Sequence, residues 1–159
     1  MASTLTAATM TVTISESITL NGKNQGGTTT KSFLTIGEIT KRILNISTTE
    51  AVVATFSSAV ASAGHYVAAN VRYIRFTNLD DAAFVALTFR NQDNDEVSIK
   101  LDAGQSFIFN GDNDNGMTAV MNATQDADAS SFANFGSLTN IQADAETGTV
   151  DLEMVIASV

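Results

Sequence analysis

Ala82-Ala83-Phe84-Val85-Ala86-Leu87-Thr88-Phe89-Arg90-Asn91-Gln92-Asp93-Asn94-Asp95-Glu96-Val97-Ser98-Ile99-Lys100-Leu101-Asp102-Ala103-Gly104-Gln105-Ser106-Phe107-Ile108-Phe109-Asn110 decides the fold class. Val85, Leu87 and Phe89 alternate with Ala86, Thr88 and Arg90. After the polar turn at 91–95 the same parity resumes with Val97, Ile99 and Leu101 against Glu96, Ser98 and Lys100. Asp102-Ala103-Gly104 then leads into Phe107 and Phe109, which flank Ile108. Successive side chains of a strand point to opposite faces, so this spacing turns one apolar face inward and one polar face to water. Short polar turns between such runs predict an antiparallel meander of three strands.

Working outward, Met10, Val12, Ile14, Ile18 and Leu20 share a parity, which predicts one long strand over 10–20 ending at Asn21-Gly22. Asn24-Gln25-Gly26-Gly27-Thr28-Thr29 reads as a flexible polar loop. Strands are expected near Lys31–Ile36 and Ile39–Ile46. Ser47-Thr48-Thr49-Glu50 has capping-box spacing, but Val52, Val53, Thr55 and Phe56 are β-prone. We therefore expect a strand over 50–57 and a short helical turn over 58–63. Val71-Arg72-Tyr73-Ile74-Arg75-Phe76 is apolar on both parities, as a strand covered on both faces would be.

Residues 111–131 read as a loop interrupted by a short strand at Met117–Met121. A closing hairpin is expected from Leu138–Ala145, a turn at Glu146-Thr147-Gly148, and Val150, Leu152, Met154 and Ile156. The expectation is an all-β fold: an antiparallel β-sandwich or jelly-roll-like domain spanning 1–159, with nine or ten short strands and 1–9 as an N-terminal arm.

The chain has no Cys, which excludes disulfides, thiolate metal sites and cysteine nucleophiles, and it has no Pro, so its turns rest on Gly, Asn and Asp. Its first residues lack the basic and apolar regions of a secretion signal. No apolar stretch approaches the roughly 20 residues needed to cross a bilayer. We therefore expect folding in a cytoplasm and no membrane partner. Net charge is -9: residues 1–80 carry six basic and four acidic groups, whereas 81–159 carry two basic and thirteen acidic ones. That balance argues against nucleic acid as a partner. It allows two readings, plain solubility or head-to-tail assembly with the basic half of one copy facing the acidic half of the next.

The residue types that carry chemistry do not converge. The single histidine, His65, has no neighbour in sequence to serve as base, nucleophile or second ligand. Asp80 and Asp81 are adjacent and belong to ordinary turn chemistry. Asp112-Asn113-Asp114-Asn115-Gly116 has calcium-friendly oxygens but lacks the Gly at position six and the acid at position twelve of an EF-type loop. Gly22, Gly26 and Gly27 precede no Gly-Lys-Ser/Thr, so no phosphate loop forms. Asn45-Ile46-Ser47 and Asn122-Ala123-Thr124 match a glycosylation triplet too short to be informative. Arg72 and Arg75 are too few for a nucleic-acid platform and are expected to pair across strands with the acidic half. We assign no catalytic, cofactor-binding or metal-binding residue and expect no enzyme activity.

Ile18-Thr19-Leu20-Asn21-Gly22, Arg42-Ile43-Leu44-Asn45-Ile46 with Thr49-Glu50, Val71 to Asp81, and Lys100-Leu101-Asp102-Ala103-Gly104-Gln105-Ser106-Phe107 resemble small structural proteins of tailed bacteriophages, of the marine and cyanobacterial kind. The resemblance covers residues 12–110 and is strongest over 71–110. It implies a virion component without enzymatic activity, present in many copies, and carries no functional residues with it. On that basis we expect a head-decoration or cement protein that stabilises a capsid shell. The alternative within the virion is a tail, neck or fibre component. A carbohydrate-binding β-sandwich is a further alternative, with only Tyr66 and Tyr73 and no Trp to support it. The partners implied are other virion proteins, the major capsid protein or tail proteins, and further copies of the chain in a homo-oligomer.

Overall fold

The computed structural model describes residues 5–57, 64–118, 120–121, 129 and 137–159. Their strands in chain order are β1 (Ala8–Ser15), β2 (Thr19–Leu20), β3 (Lys23–Asn24), β4 (Thr28–Ile36), β5 (Glu38–Ser47), β6 (Ala51–Ser57), β7 (Tyr66–Val67), β8 (Val71–Asn78), β9 (Val85–Asn91), β10 (Glu96–Leu101), β11 (Ser106–Asn110), β12 (Leu138–Ala145) and β13 (Thr149–Ser158). Among the described residues one 3-10 turn, Ala68–Asn70, precedes β8. The fold is all-β. The expected strand over 50–57 is β6; the helical turn expected over 58–63 lies outside the described residues.

Two sheets pack face to face. One has the order β10-β9-β12-β6-β7, the other β11-β8-β13-β5. Between them lies one core, to which β9 gives Val85, Leu87 and Phe89, β12 gives Ile141 and Ala143, β8 gives Ile74 and Phe76, and β13 gives Val150, Leu152, Met154 and Ile156. These residues sit on the parities that alternation predicts.

Which strands are neighbours differs from expectation in two places. β9 and β10 form the expected hairpin, pairing Phe89 with Val97 and Leu87 with Ile99. β11 does not continue the meander: it pairs with β8 in the opposite sheet. Its connection is steered there by Asn78, whose backbone N–H donates to Gln105 O and whose carbonyl accepts from Gly104 N. Gly104, at φ 71, supplies the left-handed residue this corner requires. The expected C-terminal hairpin is likewise an arch. β12 lies between β9 and β6, whereas β13 lies between β8 and β5. A three-residue link such as Glu146-Thr147-Gly148 serves a hairpin or a change of sheet equally well, and here the core between the sheets selects the second. Of the strand expected at Met117–Met121, the described residues show one bridge, Thr118 with Ser137; residue 119 lies outside the described residues.

The N-terminal segment also departs from the single long strand. β1 pairs antiparallel with β4, and beyond an irregular step at 16–18 β2 pairs with β3. Asn21 and Gly22, at φ 51 and 76, form the two-residue turn that such a hairpin favours. The polar stretch Asn24–Thr29, expected as a loop, is the returning limb. Gly27 O accepts from Glu16 N, and Gly26 lies so close that a Cβ there would stand 2.2 Å from Glu16 O. Residues 8–36 are therefore one two-stranded ribbon.

Candidate functional site

The ribbon is built from a strict two-face pattern. On one face Thr13 pairs with Thr30 and Ser15 with Thr28, hydroxyl to hydroxyl at 3.3 Å. On the other, Met10 stands opposite Phe33, Val12 opposite Lys31 and Ile14 opposite Thr29. At its root this apolar face packs on the outer surface of the four-stranded sheet, where Phe33 and Ile36 are buried with Tyr73 and Ala157, and Met10, Val12, Ile108 and Val155 pack around them. The Phe33 and Tyr73 rings lie 5.9 Å apart. β8 is thus covered on both faces, as its sequence predicts: Ile74 and Phe76 face inward, Tyr73 faces the ribbon.

The cover stops partway along. Ile14 is 47% exposed, Ile18 54% and Leu20 60%. The same stripe that is buried at the root is bare toward the tip. A two-stranded hairpin is marginal in water by itself, so exposed Ile and Leu on such a ribbon mark a surface that gains by being covered.

At the ribbon's root the backbone is bent. The pairing shifts between Ala8 and Met10, and Thr35 opposite this shift has φ 59. A β-branched residue in the left-handed region is uncommon and strained. This bulge precedes Gly37, whose N–H donates to Ser158 O on β13. The chain turns there from the ribbon into β5, which runs back as an edge of the four-stranded sheet.

A second concave surface, a groove of ≈ 770 Å³, lies where β5 and β6 leave the side of the sandwich open. Glu38, Thr40 and Arg42 line it from β5, Val52 to Thr55 from β6, and Gly64 and His65, with Tyr66 of β7, from the other side. Sequence spacing gave no partner for His65; the sheets place Glu38 and Arg42, more than twenty residues away, beside the same groove. No sequence signal could have announced that grouping, because it depends on which strands become edges.

The remaining sequence candidates serve structure where they are described. Asp80 accepts from the backbone N–H groups of Ala82 and Ala83, both at 2.8 Å, and these bonds hold its carboxyl below the ordinary carboxylate range. Asp112 does the same for its own turn, accepting from Asn115 and Asp114, and its acidity is raised by those bonds. Gly116 closes that turn at φ 60, and Met117 N–H donates to Ala68 O, anchoring the turn to the body. Among the described residues no group of three or more His, Cys, Asp or Glu is placed to hold a metal ion. Arg75 pairs across strands with Glu153, as expected, whereas Arg72 donates to the carbonyl of Ala69. Asn45 donates to Asp151; Asn122 lies outside the described residues. No helix among the described residues is long and apolar enough to cross a membrane.

No known family model, curated protein or solved structure matches this chain.

Proposed function

We propose that this protein is a structural component of a tailed-phage virion, a head-decoration or cement protein that sits on the capsid shell and stabilises it by bridging subunit joints. The observation that carries this reading is the ribbon over residues 8–36, an amphipathic two-stranded element anchored at one end and apolar but uncovered at the other. A binding element of this kind works by covering surface, which needs no reactive group. The sequence resemblance supports the virion setting, and the all-β body supports the mechanical role.

The test is stoichiometry and attachment. In purified particles the chain should be present at a copy number on the order of hundreds, as repetition over a symmetric shell requires. A copy number in the tens or fewer would move it to the tail or neck. Removing residues 1–10 deletes the part of β1 that pairs with Phe33 and Ile36, and should weaken particle binding while the sandwich stays folded. Undiminished binding of that truncated chain would count against the reading.

A further inference from the structure

We infer that the partner of the ribbon is a second copy of this chain: the bare half of one ribbon lies on the outer face of β5 of the next copy, head to tail. The inference rests on the proposed structural role and names the surface it uses.

The direction of the ribbon carries the argument. Gly37 is tied to Ser158 on β13, Phe33 stacks beside Tyr73 on β8, and Lys31 to Thr35 share a groove with Arg72 and Asn113, next to the end of β11. In the sheet order β11-β8-β13-β5 the ribbon therefore starts near the β5 side, crosses the outer face, and leaves over the β11 side. The strand it leaves uncovered is β5, at the opposite edge. There Ile39 and Ile43, paired with Ala157 and Glu153 of β13 and so on the same outer face, are 59% and 61% exposed. A chain that carries an apolar projection on one edge and an apolar landing on the opposite edge of one sheet face is self-complementary by translation. The bare end of its own ribbon points away from that landing.

Charge agrees with the fit. On the bare stripe Glu16 stands between Ile14 and Ile18, and on the landing Lys41, 62% exposed and paired to Glu153, stands between Ile39 and Ile43. Glu16 of one copy would thus face Lys41 of the next.

Area sets the strength. Thr13 to Asn21 spans roughly 30 Å at strand rise, and two strands are roughly 10 Å wide, so one contact removes on the order of 600 Å² from the two partners together. Stable pairs bury about 1,200 Å² or more. A single contact is weak. Each copy, however, offers a ribbon and a landing, so a closed ring or an array on a shell holds every copy twice.

The absence of Cys makes the test clean, because every thiol is one that has been introduced. Full-length L20C, I43C and the double variant L20C/I43C are oxidised and sized under denaturing conditions. The double variant should give a covalent ladder, the two single variants mixed should stop at a dimer, and each single variant alone should stay monomeric. Adding I18K to the double variant should cut the ladder at least tenfold while the circular dichroism spectrum is unchanged. A ladder no stronger from the double variant than from either single one overturns the inference. So does a fast intramolecular bond in the double variant, which would put the ribbon over its own β5. Particle binding is measured on the same variants: binding without a ladder sinks the self-contact alone, and a ladder without binding sinks the proposed virion role alone.

Discussion

Phe89 of β9 meets Phe109 of β11 edge to face across the interior of the sandwich, ring centroids 5.6 Å apart and planes at 89°. Phe107 lies 5.5 Å from the same ring. This contact explains why β11 leaves β10 and joins the other sheet. As a third meander strand, Phe107 and Phe109 would stand beside Phe89 on one sheet face; across the core they close over it. Edge-to-face pairs at this separation add about 0.5–1.5 kcal/mol beyond the burial of area.

Truncating Phe89 to Ala should therefore cost about 3–5 kcal/mol, the usual loss for a fully buried aromatic. Urea unfolding followed by circular dichroism reads it as a lower midpoint at unchanged slope. A double-mutant cycle of F89A with F109A should return a coupling of about 0.5–1.5 kcal/mol. Strict additivity would mean that the two rings do not interact.

Asn78 is fully buried, and its amide holds the corner between the sheets. Nδ2 donates to Ala83 O at 2.9 Å and Leu101 O at 3.1 Å, while Oδ1 accepts from Asp80 N. Asn78→Leu keeps the branched shape, adds bulk and strands both carbonyls, for a loss of about 2–4 kcal/mol. Asn78→Asp should be at least as harmful near neutral pH, because a carboxylate would face two carbonyl oxygens. If N78L unfolds at the wild-type midpoint, the amide is not the clamp described above.

Glu153 links two cations on the outer face. Lys41 Nζ lies 2.8 Å from its carboxylate and Arg75 approaches the other oxygen; the Lys41 hydrogen bond, then Arg75, hold the carboxyl below its ordinary value. Because the folded value is the lower one, this pairing stabilises fully above the unfolded-state value of about 4.3 and is lost as pH falls through the folded value. The stability difference between wild type and E153Q should thus be largest near neutral pH and shrink on acidification below about pH 4.3. Lys41 is well exposed, so added salt should shrink it too. A difference independent of pH from 7 to 3 would refute the assignment.

Gly116 and Gly148 have nearly the same φ, 60 and 61, but different surroundings. A Cβ at Gly148 meets nothing within 4 Å, whereas one at Gly116 would stand 2.4 Å from the carbonyl oxygens of both Ala68 and Ala69. G148A should cost about 1–2 kcal/mol, the left-handed penalty alone. G116A adds a collision with backbone that cannot rotate away, so it should cost distinctly more and disturb the packing of Met117. Thermal unfolding of the two variants gives the comparison directly, and equal losses would contradict it.

Alternation along 82–110 was enough to identify the strands and their inward faces, and Val85, Leu87 and Phe89 are buried as it requires. The Asn21-Gly22 turn and the two-sided cover of β8 were equally legible, because each depends on local backbone preference or on the parity of apolar residues. Met117–Met121 misled, since Met117 is buried as a single anchor beneath a turn rather than as one residue of a ladder. The ribbon's bare face was visible as Ile14, Ile18 and Leu20 on one parity, yet the letters read as a strand among others. Nothing local says where a sheet ends.

Period-two spacing, a purely local property, thus settled the all-β class and which side chains point inward. Sheet membership, the arches at Asp102–Gln105 and Glu146–Gly148, the bare end of the ribbon, and the placing of His65, Glu38 and Arg42 along one groove were decided by the folded body. The physical reason is that an alternating strand buries its apolar face equally well in either of two facing sheets. Only the joint packing of Phe89 with Phe107 and Phe109, and of β13 between β8 and β5, separates those arrangements in energy.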